Sequence, residues 1–123
     1  MTHFLVVDDD PDAQIIVSAY LSALGTVTVA GSAAEAVAAA AATAPELAII
    51  DIGLPDRDGI ELLAELRAIA ALGAMRAIAV SAHGDLDIRA RIVAAPFDDF
   101  LWKPIDGQDL LRVVRRSLGE AGP

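Results

Sequence analysis

Five short apolar runs recur along the chain and constrain its fold more than any other feature: Phe4–Val7, Val27–Ala30, Leu47–Ile50, Ala77–Val80 and Phe100–Trp102. Runs of this length, rich in β-branched and aliphatic residues, read as strands, and each gap between them is long enough for a helix. Leu47-Ala48-Ile49-Ile50 has no polar alternate, so both faces of that strand must be covered. Strands of this kind in alternation with helices predict an α/β fold, a parallel sheet wound on both sides by helices.

The helical segments carry their own start and stop signals. The first places Ala13, Ile16, Val17, Tyr20, Leu21 and Leu24 on one stripe and is expected to stop at Gly25. The second opens on Ser32-Ala33-Ala34-Glu35, a capping-box pattern, and should end before Pro45. A third begins near Gly59 with Leu62, Leu63, Leu66 and Ile69 apolar, and a fifth near Asp106 with Leu110, Val113, Val114 and Leu118. The fourth, Leu86 to about Ala94, is short and bears Asp87, Arg89 and Arg91. Few apolar contacts are available to hold it, so it is expected to be the most mobile helix.

A length of 123 residues suits one domain, expected over residues 1–123. There is no cysteine, which excludes disulfides and thiolate metal sites, and His3 and His83 lie far apart in the chain. A formal net charge of −9, with eight scattered Arg and one Lys, argues against direct nucleic-acid binding. No apolar run approaches the ~20 residues of a membrane span. Met1-Thr2-His3 does not resemble a cationic secretory leader, so the expected location is cytoplasmic.

In a doubly wound sheet, ligands bind beyond the carboxyl ends of the strands. Those ends carry Asp8-Asp9-Asp10, Asp51, Ser81 and Lys103. Carboxylates crowded at a low-dielectric edge repel one another unless a cation lies between them. Oxygen ligands without nearby His or Cys favour Mg2+, with Asp9 and Asp51 as its natural direct ligands. Lys103 is the sole Lys, and a compact ammonium neutralises a phosphoryl oxygen as a point charge. Carboxylate, metal, lysine and hydroxyl together describe a phosphoryl-transfer site. Asp10 and Asp12 are read instead as helix caps.

In chain order, Val6-Val7-Asp8-Asp9-Asp10-Pro11, Leu47 to Pro55 with Asp51 and Gly53, Asp58-Gly59, Ser81-Ala82 and Phe100-Leu101-Trp102-Lys103-Pro104 resemble the receiver-domain signature of two-component response regulators. The resemblance implies a flavodoxin-like five-stranded parallel sheet of order 2-1-3-4-5 with five flanking helices. It implies that Asp51 accepts a phosphoryl group from a phosphohistidine on a sensor histidine kinase or phosphotransfer protein. Asp9, Asp51 and the Gly53 carbonyl would bind Mg2+, Asp8 would reach it through water, and Ser81 and Lys103 would contact the phosphoryl oxygens. Phe100 matches the aromatic switch residue, whose turning inward would alter the face made by the fourth helix, fifth strand and fifth helix. That face would meet a downstream protein target, and phosphorylation-dependent homodimerisation is a further outcome the resemblance allows.

Some positions depart from the usual pattern. Gly53 puts no side chain over the site, His83 follows Ser81 by two residues, and Ala95-Pro96 stands where a Gly-containing turn is usual. The fourth helix is therefore expected to differ in length or position from the family's usual one. Phe100 and Trp102 share a strand face by its period of two, and Trp102 is either exposed for binding or packed beneath a helix. Two rival functions remain at this stage. Asp8-Asp9-Asp10 also resembles the nucleophile motif of small aspartate phosphatases, although 123 residues leave no room for a cap domain. The other rival is an unphosphorylated docking or dimerisation module. A nucleotide-binding enzyme is disfavoured, since Asp8–Pro11 stand where a glycine-rich phosphate loop would follow the first strand.

Overall fold

The computed structural model of the chain describes residues 2–69, 74–82 and 86–119. Among the described residues strands and helices alternate: β1 (Thr2–Val7), α1 (Pro11–Leu21), β2 (Gly25–Ala30), α2 (Ala33–Thr43), β3 (Leu47–Asp51), α3 (Gly59–Arg67), β4 (Arg76–Ala82), α4 (Leu86–Ala94), β5 (Asp99–Lys103) and α5 (Gly107–Ser117). All five strands pair in parallel in the order β2-β1-β3-β4-β5. This is the doubly wound, flavodoxin-like sheet that the resemblance implied.

Strand periodicity sends alternate residues to two cores. Phe4, Val6, Leu47, Ile49, Ile78 and Val80 pack against α1 and α5 through Val17, Leu21, Leu110 and Val114. Leu5, Val7, Ala48 and Ile50 pack on the other side against Ala36 and Ala40 of α2 and Leu62, Leu63 and Leu66 of α3. β3 is central and every residue of it is buried, which accounts for its unbroken apolar sequence. Each fully buried Leu or Ile contributes about 1.5–3 kcal/mol. A smaller cluster of Ile52, Ala79 and Ile92 seats α4, with Phe97 and Phe100 packed against it.

Two features of α1 differ from the sequence reading. Val17 and Leu21 are buried, but Ile16 is 49% and Tyr20 38% exposed, because the sheet covers a narrower arc of α1 than its apolar stripe subtends. Gly25 does not stop the helix. Ser22 caps α1 at its C-terminus, and Gly25 is the first residue of β2. A Cβ on Gly25 would lie 2.1 Å from the Thr2 carbonyl oxygen, so the glycine permits close approach of β1 and β2.

Caps fix the other ends. Asp10 accepts from the Asp12 N–H and is the N-cap of α1, whereas Asp12 lies in the first turn. Ser32 accepts from the Glu35 N–H, but Glu35 Oε2 reaches past the cap to the Gly31 N–H at 2.9 Å. α2 ends on Ala44, which adopts the left-handed φ of 48° just before Pro45. α4 has the bounds read from sequence, and Ile92 is its buried side chain among the described residues. The Pro96 carbonyl accepts from Arg67 of α3 at 2.9 Å, which ties the turn after α4 to the neighbouring helix.

Candidate functional site

The winding order brings the carboxyl ends of β1, β3, β4 and β5 to one edge, and with them Asp8, Asp9, Asp51, Ser81 and Lys103. Asp8 follows β1, Asp51 ends β3, Ser81 lies in β4 and Lys103 ends β5. Asp8, Asp51 and Ser81 are the buried polar or charged residues among those described, at 4%, 6% and 7% exposure. Asp9, Asp51, Gly53, Asp58, Ser81 and Lys103 line a cavity of about 550 Å³ at this edge.

Local hydrogen bonds orient the carboxylates. Asp8 Oδ1 accepts from the Asp10 N–H at 2.9 Å, and the Gln14 side-chain amide donates to the Asp8 carbonyl at 2.6 Å. Asp51 Oδ1 accepts from the Gly53 N–H at 3.0 Å. The remaining oxygens meet the sole lysine: Lys103 Nζ lies 3.0 Å from Asp51 Oδ2 and 3.1 Å from Asp8 Oδ2. The Lys103–Pro104 peptide is cis.

Burial pushes the Asp8 carboxyl above its ordinary range and the adjacent Asp51 charge adds to it, while the Asp10 N–H and Lys103 offset part of the shift. Burial works against the Lys103 ammonium too, yet its bonds to Asp51 and Asp8 hold its pKa above the usual lysine value. Two buried carboxylates thus share one cation and still carry excess negative charge.

One carboxylate oxygen from each of Asp8, Asp9 and Asp51 lies within 4.8 Å of the others. Hard oxygen donors, two of the three groups buried and one solvent-exposed, fit a divalent cation such as Mg2+ that keeps several waters. Gly53 is exposed, and a Cβ there would meet only Asp51 Oδ1 at 3.8 Å. Phe100 is half-buried beside Ile52, Ala79 and Ile92, and Trp102 is half-buried with its ring edge-on to Phe100 at 5.4 Å. Trp102 is therefore neither a free aromatic nor one hidden beneath a helix. His83 lies outside the described residues.

Sequence reasoning missed Gln14, Asp56 and the pairing of Asp58. Asp56 accepts from the Ala33 and Ala34 N–H groups at 2.9 and 3.0 Å, pinning the loop after β3 to the start of α2. Asp58 caps α3 and also binds Arg91 of α4. Only the cap had a local signal, an Asp three residues before Glu61.

An α/β sheet that gathers three carboxylates, a lysine and a hydroxyl beyond its strand ends defines a class of small phosphoryl-accepting signalling modules. The chain belongs to the response regulator receiver domain family, whose profile matches residues 4–115. Receiver domains are signalling modules of two-component systems, phosphorylated on an aspartate, and the family binds Mg2+ at its acidic pocket.

Among similar proteins is an uncharacterized 14.6 kDa protein from Leptolyngbya boryana, 35% identical over 91% of this chain and 86% of that one. The transcriptional regulatory protein AruR of Pseudomonas aeruginosa is 35% identical over 97% of this chain but 53% of its own length. The chain thus spans about half of that longer relative. Among solved structures, a CheY-like receiver domain from Methanospirillum hungatei superposes with a TM-score of 0.87 at 29% identity, covering 98% of this chain and 95% of that one. The BeF3-activated DrrB receiver domain superposes at 0.85 with 26% identity, covering 97% and 98%. No helix among the described residues is long and apolar enough to cross a membrane.

Proposed function

We propose that residues 1–123 act as a single phosphorylation switch, with Asp51 as the phosphoacceptor. The observation that carries this reading is the position of Asp51. It is a buried carboxylate facing a 550 Å³ cavity, with Lys103 at 3.0 Å and Ser81 on the same wall.

In the reaction, an Asp51 carboxylate oxygen attacks the phosphorus of a phosphohistidine on a sensor histidine kinase or phosphotransfer protein. The P–O bond forms as the P–N bond breaks, and the imidazole leaves with its electron pair and takes a proton. Lys103 neutralises one phosphoryl oxygen and the Ser81 hydroxyl donates to another. Asp9, Asp51 and the Gly53 carbonyl would hold Mg2+, with Asp8 as an outer partner, and the cation would supply charge neutralisation at the transferring group.

Phosphorylation adds about −1.5 to −2 charges and strong acceptor oxygens. Drawing Ser81 and its strand end toward the phosphoryl group vacates space into which Phe100 turns. The face of α4, β5 and α5 then changes shape for a downstream protein target or a second copy of the chain. The domain works in the cytoplasm as a switch rather than as a turnover enzyme, binding neither nucleic acid nor membrane itself.

Intact-mass spectrometry after incubation with Mg2+ and acetyl phosphate tests the assignment. The native chain should gain one phosphoryl adduct, and Asp51→Asn should gain none. An adduct mapped to Asp8 would favour an aspartate phosphatase instead. No adduct on folded native chain would leave a docking module.

A further inference from the structure

The two carboxylate oxygens of Asp58 serve different elements. Oδ1 accepts the Glu61 N–H at 2.8 Å and caps α3, while Oδ2 accepts from Arg91 Nη2 of α4 at 2.6 Å. The same residue lines the cavity that contains Asp51, Ser81 and Lys103. Burial opposes ionisation of Asp58, yet the bonds from Glu61 N–H and Arg91 hold its carboxyl below the ordinary range, so the pair is charged on both sides at neutral pH.

Arg91 is followed by Ile92, the residue that seats α4 in the cluster with Ile52 and Ala79, against which Phe100 also packs. Adjacent residues of α4 therefore meet two different parts of the site. Arg91 touches the loop that follows Asp51, and Ile92 shares an apolar seat with the aromatic residue of β5.

We propose that the Arg91–Asp58 pair is a latch: it ties α4 to the phosphoacceptor loop in the unphosphorylated chain and is loosened by a phosphoryl group on Asp51. The inference rests on the reading of Asp51 as phosphoacceptor. New negative charge in a cavity that Asp58 lines repels its carboxylate and competes for the Arg91 guanidinium. A contact that is stronger in the unphosphorylated arrangement biases the equilibrium toward it, and by linkage its removal favours the phosphorylated one. Arg91 is thus a positioning residue that sets how readily the switch is thrown.

The test uses Mg2+ with beryllofluoride as a phosphoryl mimic, titrated by the fluorescence of Trp102, the sole tryptophan. Arg91→Ala should bind the mimic about two- to five-fold tighter than the native chain, the range for a part-exposed ion pair. Asp58→Asn keeps an oxygen for the α3 cap and should behave like Arg91→Ala, with the double variant no tighter than either. Without metal or mimic, α4 amides should exchange hydrogen faster in Arg91→Ala. Unchanged or weaker mimic binding in both single variants, with normal binding by the native chain, overturns the latch. Failure of the native chain to bind the mimic overturns the Asp51 reading, and the latch falls with it.

Discussion

Lys103 donates to Asp51 Oδ2 at 3.0 Å across 52 residues of chain, and the same ammonium lies 3.1 Å from Asp8 Oδ2. One cation thereby serves two carboxylates with side-chain exposures of 8% and 6%. Lys103 is the counter-ion of these two carboxylates, and it opposes any second cation beside them.

Replacing Lys103 with Met should separate these roles. Stability of the metal-free chain at neutral pH should fall by about 1–3 kcal/mol, below the cost of breaking a fully buried pair because Lys103 is partly exposed. Mg2+ should bind roughly 3–10-fold tighter, since a competing positive charge is gone, while phosphoryl uptake is lost. Urea unfolding and metal titration measure the first two. Unaltered Mg2+ affinity would show that Lys103 is not the resting counter-ion.

Asp8 carries the opposite expectation. Its pKa in the folded chain is raised above 3.8, so its contribution to stability is fully present below that value and lost as pH rises through the folded one. Asp8→Asn, which cannot ionise and keeps an acceptor for the Asp10 N–H, should stabilise the metal-free chain at neutral pH by about 0.5–2 kcal/mol. The advantage should shrink as pH falls toward 3.8. A stability difference that is flat with pH would refute the charge-repulsion account.

The Asp56 tether has the reverse pH profile. Hydrogen bonds from the Ala33 and Ala34 N–H groups hold its carboxyl below 3.8, so its contribution is present above that value and lost as pH falls through the folded one. Asp56→Ala should lower the urea midpoint at neutral pH and converge with the native chain in acid. Amide exchange at residues 33 and 34 should rise in the same variant, and protection there equal to the native chain would rule out the tether.

Two small residues near helix ends should respond in opposite directions. Ala44→Gly removes a Cβ from a left-handed residue and should stabilise by about 1 kcal/mol. Gly59→Ala places a Cβ 2.6 Å from the Asp51 carbonyl oxygen and 3.0 Å from Ile52 Cα, backbone that cannot step aside. It should cost about 1–3 kcal/mol and weaken Mg2+ binding by displacing Asp51. Thermal unfolding of the two variants reads both signs at once.

Much of this molecule is legible from local pattern. The apolar runs fall within the five strands, which extend them by one to two residues at some ends, because alternation and β-branching act within a few residues. The placement of Asp8, Asp51, Ser81 and Lys103 at one edge follows from parallel strands whose carboxyl ends all point the same way. α1 was harder to read: Ile16 and Tyr20 stand on the apolar stripe but are 49% and 38% exposed. Hydropathy reports what a side chain prefers, and the arc of helix actually covered depends on how the sheet lies against it.

The sequence alone therefore determined the βα order, the strand pattern and the chemical inventory of the site, since propensity and apolar periodicity are local properties. Only the tertiary structure decided that Lys103 bridges Asp8 and Asp51, that Asp56 pins the loop after β3 to α2, and that Arg91 grips Asp58 across 33 residues. These are contacts of charged side chains with groups far away in the chain. Coulomb attraction and hydrogen bonding between such groups leave no periodic trace in sequence, and they become defined only once packing has fixed the elements that carry them.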